Sequence, residues 1–230
     1  MNGDALRLAA GNAAELWSRI ARAREYGAEA GDGWLEVRGD ERYGTRILTV
    51  RAVDSVVVPA GRVVVEDAFG ALDLGSQGLA ERRLPIMIRD PHKSAGEPKV
   101  PVRRVSAPRD LRTVERLVVE EFALERFQPY QRGVVFPDGL LEDVEFYLAE
   151  LDGEPVGAAV AVPQAGVVGV YWVTTAARFR SRGVGRSLMH ALLGRFDDRP
   201  MTLTASTLGR PLYESLGFEH VTLSRWWSRA

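Results

Sequence analysis

The sequence predicts an α/β (α+β) protein built from two parts. Three observations point there. In the second half, helical and strand-like apolar spacings alternate over about 130 residues. Asp152-Gly153, set between two apolar runs, is a strong hairpin signal. Between Asp90 and Pro101 the composition changes, with Pro91, Gly96, Pro98 and Pro101 among charged residues. That stretch reads as a linker at 91–100, with one domain at 1–90 and a second at 101–230.

The elements follow in order. Leu16, Trp17, Ile20 and Ala23 recur at helical spacing, so a helix is expected from Asn12, as its cap, to about Arg24. Trp34–Arg38 and Thr45–Arg51 read as a hairpin with a longer loop. Val56–Val58 and Val63–Val65 flank the turn Pro59-Ala60-Gly61, and Leu84–Ile88 is a further apolar run. Past the linker, Leu111, Val114, Leu117, Val118 and Phe122 predict a helix over Asp110–Phe122. Strands are expected at Val144–Leu151, Pro155–Val162 and Gly166–Thr174. The clearest helix is Gly185–Phe196, stopped by Asp197-Asp198-Arg199-Pro200. Met201–Ala205 reads as a strand, Thr207–Leu216 as a helix ended by Gly217, and Val221–Trp227 as the last strand.

Composition narrows the function. Hydrophobic residues make up 46% and charged residues 27% of 230, which is ordinary globular usage and excludes disorder of the whole chain. A net charge of −1 argues against a general polyanion-binding surface, so no nucleic-acid partner is expected. With no cysteine there are no disulfides, thiolate metal sites or cysteine nucleophiles. His92, His190 and His220 match no ligand spacing, so no metal is inferred. The first residues, Met1 to Arg7, do not read as a signal peptide, and no apolar run approaches the roughly 20 residues of a membrane span. The expectation is a cytoplasmic protein with no membrane partner.

One segment carries chemistry. The strand ending at Tyr171-Trp172-Val173-Thr174-Thr175 runs through Arg180-Ser181-Arg182-Gly183-Val184-Gly185-Arg186-Ser187 into the best helix. Gly183 and Gly185 permit positive φ and leave no side chain in the way. Amides at the helix start, backed by its dipole, make an anion site that suits phosphate. Arg178, Arg180, Arg182 and Arg186 add charge around it. The bland alternative is a tight turn with solvated arginines. No P-loop pattern occurs. A dinucleotide fingerprint lacks its third Gly at Leu188 and its acid near Leu203 and Thr204.

Arg180-Ser181-Arg182-Gly183-Val184-Gly185 resembles the [QR]-x-x-G-x-[GA] motif of the GNAT superfamily of acyl-CoA-dependent N-acyltransferases. Leu212-Tyr213-Glu214-Ser215-Leu216-Gly217-Phe218 resembles the family's second signature, and Ser206 falls where members often carry Asn. The resemblance covers roughly Pro101 to Ala230. It implies a GNAT-like mixed central sheet flanked by helices, a catalytic domain at 101–230 and a smaller N-terminal α/β domain. It implies acetyl-CoA as co-substrate, with its pyrophosphate on the backbone of Arg180, Ser181, Arg182, Gly183, Val184, Gly185, Arg186 and Ser187. The pantetheine arm would pair with Val173, Thr174 and Thr175. Tyr213 would be the general acid for the departing thiolate, against the alternative that it only packs among Leu208, Leu212 and Leu216. The acceptor would be a small-molecule or peptide amine.

The family's usual carboxylate base has no counterpart in Gly166–Thr175, which holds no Asp or Glu. Glu120, Glu121 and Glu125 lie where the family binds acceptors, or form a solvated helix face. Ten Asp and Glu against four Arg between Asp110 and Glu150 lean toward a cationic acceptor. Phe122, Phe127, Tyr130 and Phe136 line that side or belong to the core. The first ninety residues are either a degenerate, CoA-free copy of the same fold, with Gly75-Ser76-Gln77-Gly78-Leu79-Ala80 as a faint loop echo, or an unrelated appendage that covers the acceptor side or makes a homodimer contact. A non-catalytic acyl-CoA-binding regulatory or scaffold module is the competing function.

Overall fold

The computed structural model describes residues 2–122 and 124–230; Met1 and Ala123 lie outside the described residues. Contacts divide the chain into two compact units. One joins Met1–Arg89 to Thr202–Ala230, and the other is Asp90–Met201. This differs from the linear division at a linker.

The first unit opens with helix α1 (Asn2–Arg24). Strands β1 (Gly27–Ala30), β2 (Trp34–Arg38), β3 (Thr45–Thr49), β4 (Val63–Asp67) and β5 (Ala80–Arg89) follow. Helix α1 starts ten residues earlier than expected, and Asn12 is a buried residue inside it, not its cap. Its buried stripe includes Ala9, Ala10, Leu16, Trp17, Ile20 and Ala21. Ala9 and Ala10 pack with Ala68 and Ile86. That burial outweighs the roughly 1 kcal/mol cost of Gly11 inside a helix. Beneath α1 the Arg46 guanidinium lies 3.8 Å from the Trp17 ring centroid and pairs with Glu66. Burial pushes the Glu66 carboxyl up, while Arg46 pulls the other way.

Strands β3 and β4 run parallel, joined by residues 50–62 with no helix between them. Such crossovers are usually helical. The two strands stay paired from Thr45↔Val63 to Leu48↔Glu66. Asp67 then closes their end. It accepts hydrogen bonds from the Phe69, Gly70 and Leu72 amides and from the Thr49 hydroxyl.

The second unit runs through β6 (Val102–Val105), α2 (Pro108–Glu121), β7 (Glu145–Leu151), β8 (Glu154–Gln164), β9 (Val167–Thr175) and α3 (Val184–Arg195). Its sheet order is β9-β8-β7-β6, all antiparallel. Asp152 and Gly153 sit at φ 52° and 79°, the two positive values that a tight β7–β8 turn demands. Both helices pack on this sheet. The expected linker is tied down in this unit. Lys99 and Val100 donate their amides to the Ser187 hydroxyl, and His92 donates to the Asp197 carbonyl.

The chain returns to the first unit with β10 (Met201–Thr204), α4 (Arg210–Ser215) and β11 (Glu219–Arg229). Strand β11 inserts between β4 and β5, antiparallel to both, giving the order β1-β2-β3-β4-β11-β5-β10. Trp227 on β11 is buried among Ile47, Val63, Val65, Leu72, Leu74 and Leu79. Residues 202–230 therefore complete the N-terminal sheet. A boundary read from composition cannot show that.

The α2–β7 connection hangs on one carboxylate. Glu115 is fully buried. It accepts from the amides of Gly133, Val135 and Phe136 at 2.8, 2.6 and 2.9 Å. Tyr130 Oη and Arg112 Nη1 donate to it at 2.9 and 2.8 Å. Removing the acceptor strands buried donors. Glu115→Ala should destabilise the protein by about 3–5 kcal/mol, read as a lowered urea midpoint, whereas Glu120→Ala should change it by under about 0.5 kcal/mol.

Candidate functional site

The site residues lie where a strand changes character. β9 pairs with β8 through Ala158↔Thr174 and Gly157↔Thr175. Between Ala158↔Thr174 and Val160↔Tyr171 the register shifts, so Trp172 and Val173 stand opposite Ala159 alone. This is a β-bulge, and Trp172 takes φ 47° in it. Val173 and Thr175 are half-buried, and Thr174 is buried. The chain then makes a short turn at Ala177–Phe179 and reaches α3.

The start of α3 is set by two glycines. Gly183 is its cap residue at φ 79°, and a Cβ there would meet nothing within 4 Å. The space above the loop is open, and any side chain at this φ is strained. Gly157 on β8 has the opposite environment. A Cβ there would lie 2.6 Å from Val184 Cγ1, 2.8 Å from the Thr174 carbonyl oxygen and 3.2 Å from Leu188 Cδ1. The first turn of α3 therefore rests directly on bare β8 backbone. The sequence reading passed over Gly157, although a glycine inside a strand is a signal of close approach.

No side chain caps α3. Val184 and Gly185 stand in its first turn, ahead of any intrahelical acceptor. Ser187 differs from the others. Its amide donates to the Gly183 carbonyl at 2.9 Å, and its buried hydroxyl accepts from Lys99 and Val100. It fastens the helix start to the segment before β6. Ser181 takes φ 63°.

Arg178 and Arg180 are held by acids of the protein itself. Arg180 Nη2 lies 2.9 Å from Glu121 Oε2, and its Nε donates to the Thr175 carbonyl at 3.4 Å. Arg178 pairs with Glu154. Arg182 sits over the Phe179 ring at 5.4 Å. The arginine cluster thus braces the loop to α2 and β8 as well as charging it.

The acids on the expected acceptor side also sort themselves. Glu121 holds Arg180, Glu120 faces Arg116 at 3.9 Å, and Glu125 is exposed. Glu115 and Glu145, both in the acidic count, are buried. Tyr147 Oη donates to Glu145 at 2.5 Å. The surface is less acidic than the count implied. Phe127 and Phe136 are core, Tyr130 is half-buried on Glu115, and Phe122 is exposed.

Tyr213 belongs to the first unit, on α4. It is buried, and its ring meets Phe218 edge-on at 5.9 Å. Phe218 donates its amide to the Tyr213 carbonyl, and Gly217 at φ 82° makes the turn. Helix α4 is shorter than expected. Thr207–Gly209 form a turn in which Ser206 Oγ accepts the Gly209 amide at 3.0 Å. Burial pushes the Tyr213 phenol up to about 12. The phenol is protonated throughout the physiological range.

Residues 142–220 match the family model described as an acetyltransferase (GNAT) domain. That segment resembles a GNAT acetyltransferase domain. It runs from just before β7 into β11 and contains the bulge, the Gly183 loop, α3 and Tyr213. No protein of curated function matches this chain. Among solved structures, a GCN5-related N-acetyltransferase from Kribbella flavida is similar at 16% identity, covering 94% of this chain and 95% of its own with a TM-score of 0.61. A GCN5-related N-acetyltransferase-like protein from Streptococcus suis is 13% identical, covering 94% and 99%, with a TM-score of 0.58. A GCN5-related N-acetyltransferase from Sphaerobacter thermophilus is 15% identical, covering 92% and 84%, with a TM-score of 0.53. These are likenesses of fold, and the first two reach across nearly all of both chains. The GNAT family uses acetyl-CoA as co-substrate. Among the described residues no His, Asp and Glu group could hold a metal, and no helix is long and apolar enough to cross a membrane.

Two tests follow from this geometry. Gly157→Val should push α3 off β8 and lower the melting temperature by several degrees, while Gly194→Val, where a Cβ meets nothing within 4 Å, should cost only a fraction of that. The buried tyrosines set an alkaline limit. Tyr213 has a folded value above its unfolded value near 10, so the neutral form is favoured by folding. Its contribution is complete below pH 10 and is lost as pH rises from about 10 to 12, by about 2–3 kcal/mol. Tyr130 and Tyr147 shift the same way, through burial and their glutamate partners. Urea midpoints should fall between pH 9 and pH 11, and less steeply in Tyr213→Phe.

Proposed function

We propose that this protein is an N-acyltransferase that moves an acetyl or other short acyl group from acetyl-CoA to a primary amine. The observation that carries this is the Gly183 cap of α3, a left-handed residue with open space above it, inside a segment that matches the GNAT model. The pyrophosphate would lie on the backbone of Arg180, Ser181, Arg182, Gly183, Val184, Gly185 and Arg186. Ser187 contributes by fixing the helix start, because its amide and hydroxyl are both engaged. The pantetheine arm would run along Val173, Thr174 and Thr175.

The neutral amine attacks the thioester carbonyl carbon. A C–N bond forms, the carbonyl becomes a tetrahedral oxyanion, and the C–S bond breaks as it collapses. The nitrogen gives its proton to water. Glu115 does not serve as base, since its carboxylate already holds five donors. Tyr213 is the acid. With its phenol near 12 and a thiol near 8.5, full transfer to the thiolate is uphill by about 5 kcal/mol. Its role is therefore hydrogen-bond donation to the sulfur as charge builds, and the released thiolate takes its proton from solvent.

The remaining assignments follow from the same reading. The acceptor is a small-molecule or peptide amine, and the protein works in the cytoplasm without metal, nucleic acid or membrane. The N-terminal unit is a degenerate copy of the fold. Its sheet includes the parallel β3–β4 pair. That pair lacks the connecting helix, stays zipped together and ends in the Asp67 cage. The faint echo at Gly75–Gln77 lies after that pair, as a 3-10 turn between β4 and β5. It does not occupy the loop position.

The test is calorimetric titration with CoA and acetyl-CoA, followed by an amine screen that reads released thiol. Wild type should bind both at micromolar levels, and Gly183→Trp, folded by its melting curve, should bind neither. Tyr213→Phe should keep acetyl-CoA affinity and lose about 100-fold in kcat. Its absence of effect on kcat overturns the acid assignment. Failure of wild type to bind CoA overturns the transferase reading.

A further inference from the structure

Trp172 is the residue that neither packing nor the loop explains. Tryptophan avoids positive φ, yet it stands at φ 47° in the β9 bulge. A core tryptophan needs no such conformation. Bulges re-aim a side chain, and strained backbone persists where the surroundings over-determine it. Trp172 is half-buried.

The surroundings are rigid. The Trp172 ring meets Phe136 edge-on, with centroids 5.2 Å apart at 67°. Phe136 is fully buried and lies 5.1 Å from the Phe146 ring, itself fully buried. The backbone of Phe136 is clamped at both ends. Its amide donates to Glu115 Oε1 at 2.9 Å, and its carbonyl accepts from Arg112 Nη2 at 2.5 Å. The Tyr171 ring closes another side, 6.0 Å away. Nothing behind Trp172 can retreat to make room.

The position follows from the chain. Trp172 immediately precedes Val173, and the proposed pantetheine path runs from the Gly183 loop back along Thr175, Thr174 and Val173. The thioester end of that path arrives at Trp172. We propose that the Trp172 ring, backed by Phe136 and held by the Glu115 cage, is the end wall of the acyl space and restricts the donor to acetyl-sized groups. This rests on the acyl-CoA reading above. Trp172 is a specificity-determining residue in it, and Glu115 is a positioning residue that acts through Phe136.

A rigid wall discriminates by steric rejection. One methylene in an apolar pocket changes selectivity by about 10–200-fold. The experiment is calorimetric titration of CoA, acetyl-CoA and butyryl-CoA against wild type, Trp172→Gly and Trp172→Tyr. Glycine removes the ring and suits the positive φ, and tyrosine keeps a ring. Wild type should bind butyryl-CoA at least 10-fold more weakly than acetyl-CoA. In Trp172→Gly the two should agree within about threefold, with CoA itself unchanged, and Trp172→Tyr should retain most of the discrimination. Equal binding of both acyl-CoAs by wild type overturns the wall, and so does unchanged discrimination in Trp172→Gly. Should Trp172→Gly lose CoA, Trp172→Leu carries the same comparison, with weaker discrimination expected and unchanged discrimination overturning. In each of those cases CoA binding by wild type leaves the transferase reading standing. Wild type that binds no CoA removes both.

Discussion

The contact between the first turn of α3 and the bare backbone of Gly157 is the constraint on which the proposed site depends. Val184 and Leu188 lie where a side chain at Gly157 would have to be. That contact sets the height of the helix above β8, and so the distance between its amides and β9. Ser187 fixes the same turn from another direction by accepting the Lys99 and Val100 amides. Gly183 then has to bend the chain into the helix from a loop already braced by Arg180 on Glu121. Four separate interactions converge on one turn of helix. A phosphate site made of backbone amides has no side chains to adjust, so its precision must come from such packing.

The α2–β7 connection of the second unit is organised by one buried carboxylate. Glu115 spends its full acceptor capacity on the segment that leads to β7. Because the carboxylate is buried, each bond is strong, and each donor would be costly to abandon. The consequence reaches Phe136, Phe146 and Trp172. The buried Glu115 carboxylate is structural. The burial of Glu115 and Glu145 also explains why counting charges overstated the acidity of the surface.

What could be read from the sequence was what depends on local chemistry. Asp152-Gly153 marked its turn because two consecutive positive φ values leave few alternatives. The Gly183 loop and α3 were legible because an apolar strand, glycines and an amphipathic helix follow each other directly. Expectations failed where distant residues decide the outcome. Helix α1 runs through Gly11 and Asn12 because Ala9 and Ala10 find Ala68, just past β4, and Ile86 on β5. Strand β11 was placed correctly along the chain, but its insertion between β4 and β5 is a non-local event. Glu115, Gly157 and the bulge at Trp172 were overlooked for the same reason. Each acts on residues far away in sequence or on a partner strand.

In the N-terminal unit the end of a parallel strand pair is closed by the chain's own groups. Its parallel strands β3 and β4 keep the pairing, and its sheet is completed by β11 on the other side of β4. The crossover of residues 50–62 has no helix, so no row of helix-start amides exists there to receive an anion. Thr49 and Asp67 satisfy the backbone at the end of the pair with side-chain groups of the protein itself. Polar groups that must be partnered on burial can be served by a ligand or by the chain. In this unit the chain serves them. In the second unit α3 keeps an uncapped helix start under a glycine with nothing above it. The difference between a scaffold and a candidate site within one protein is therefore a difference in who completes the backbone hydrogen bonds.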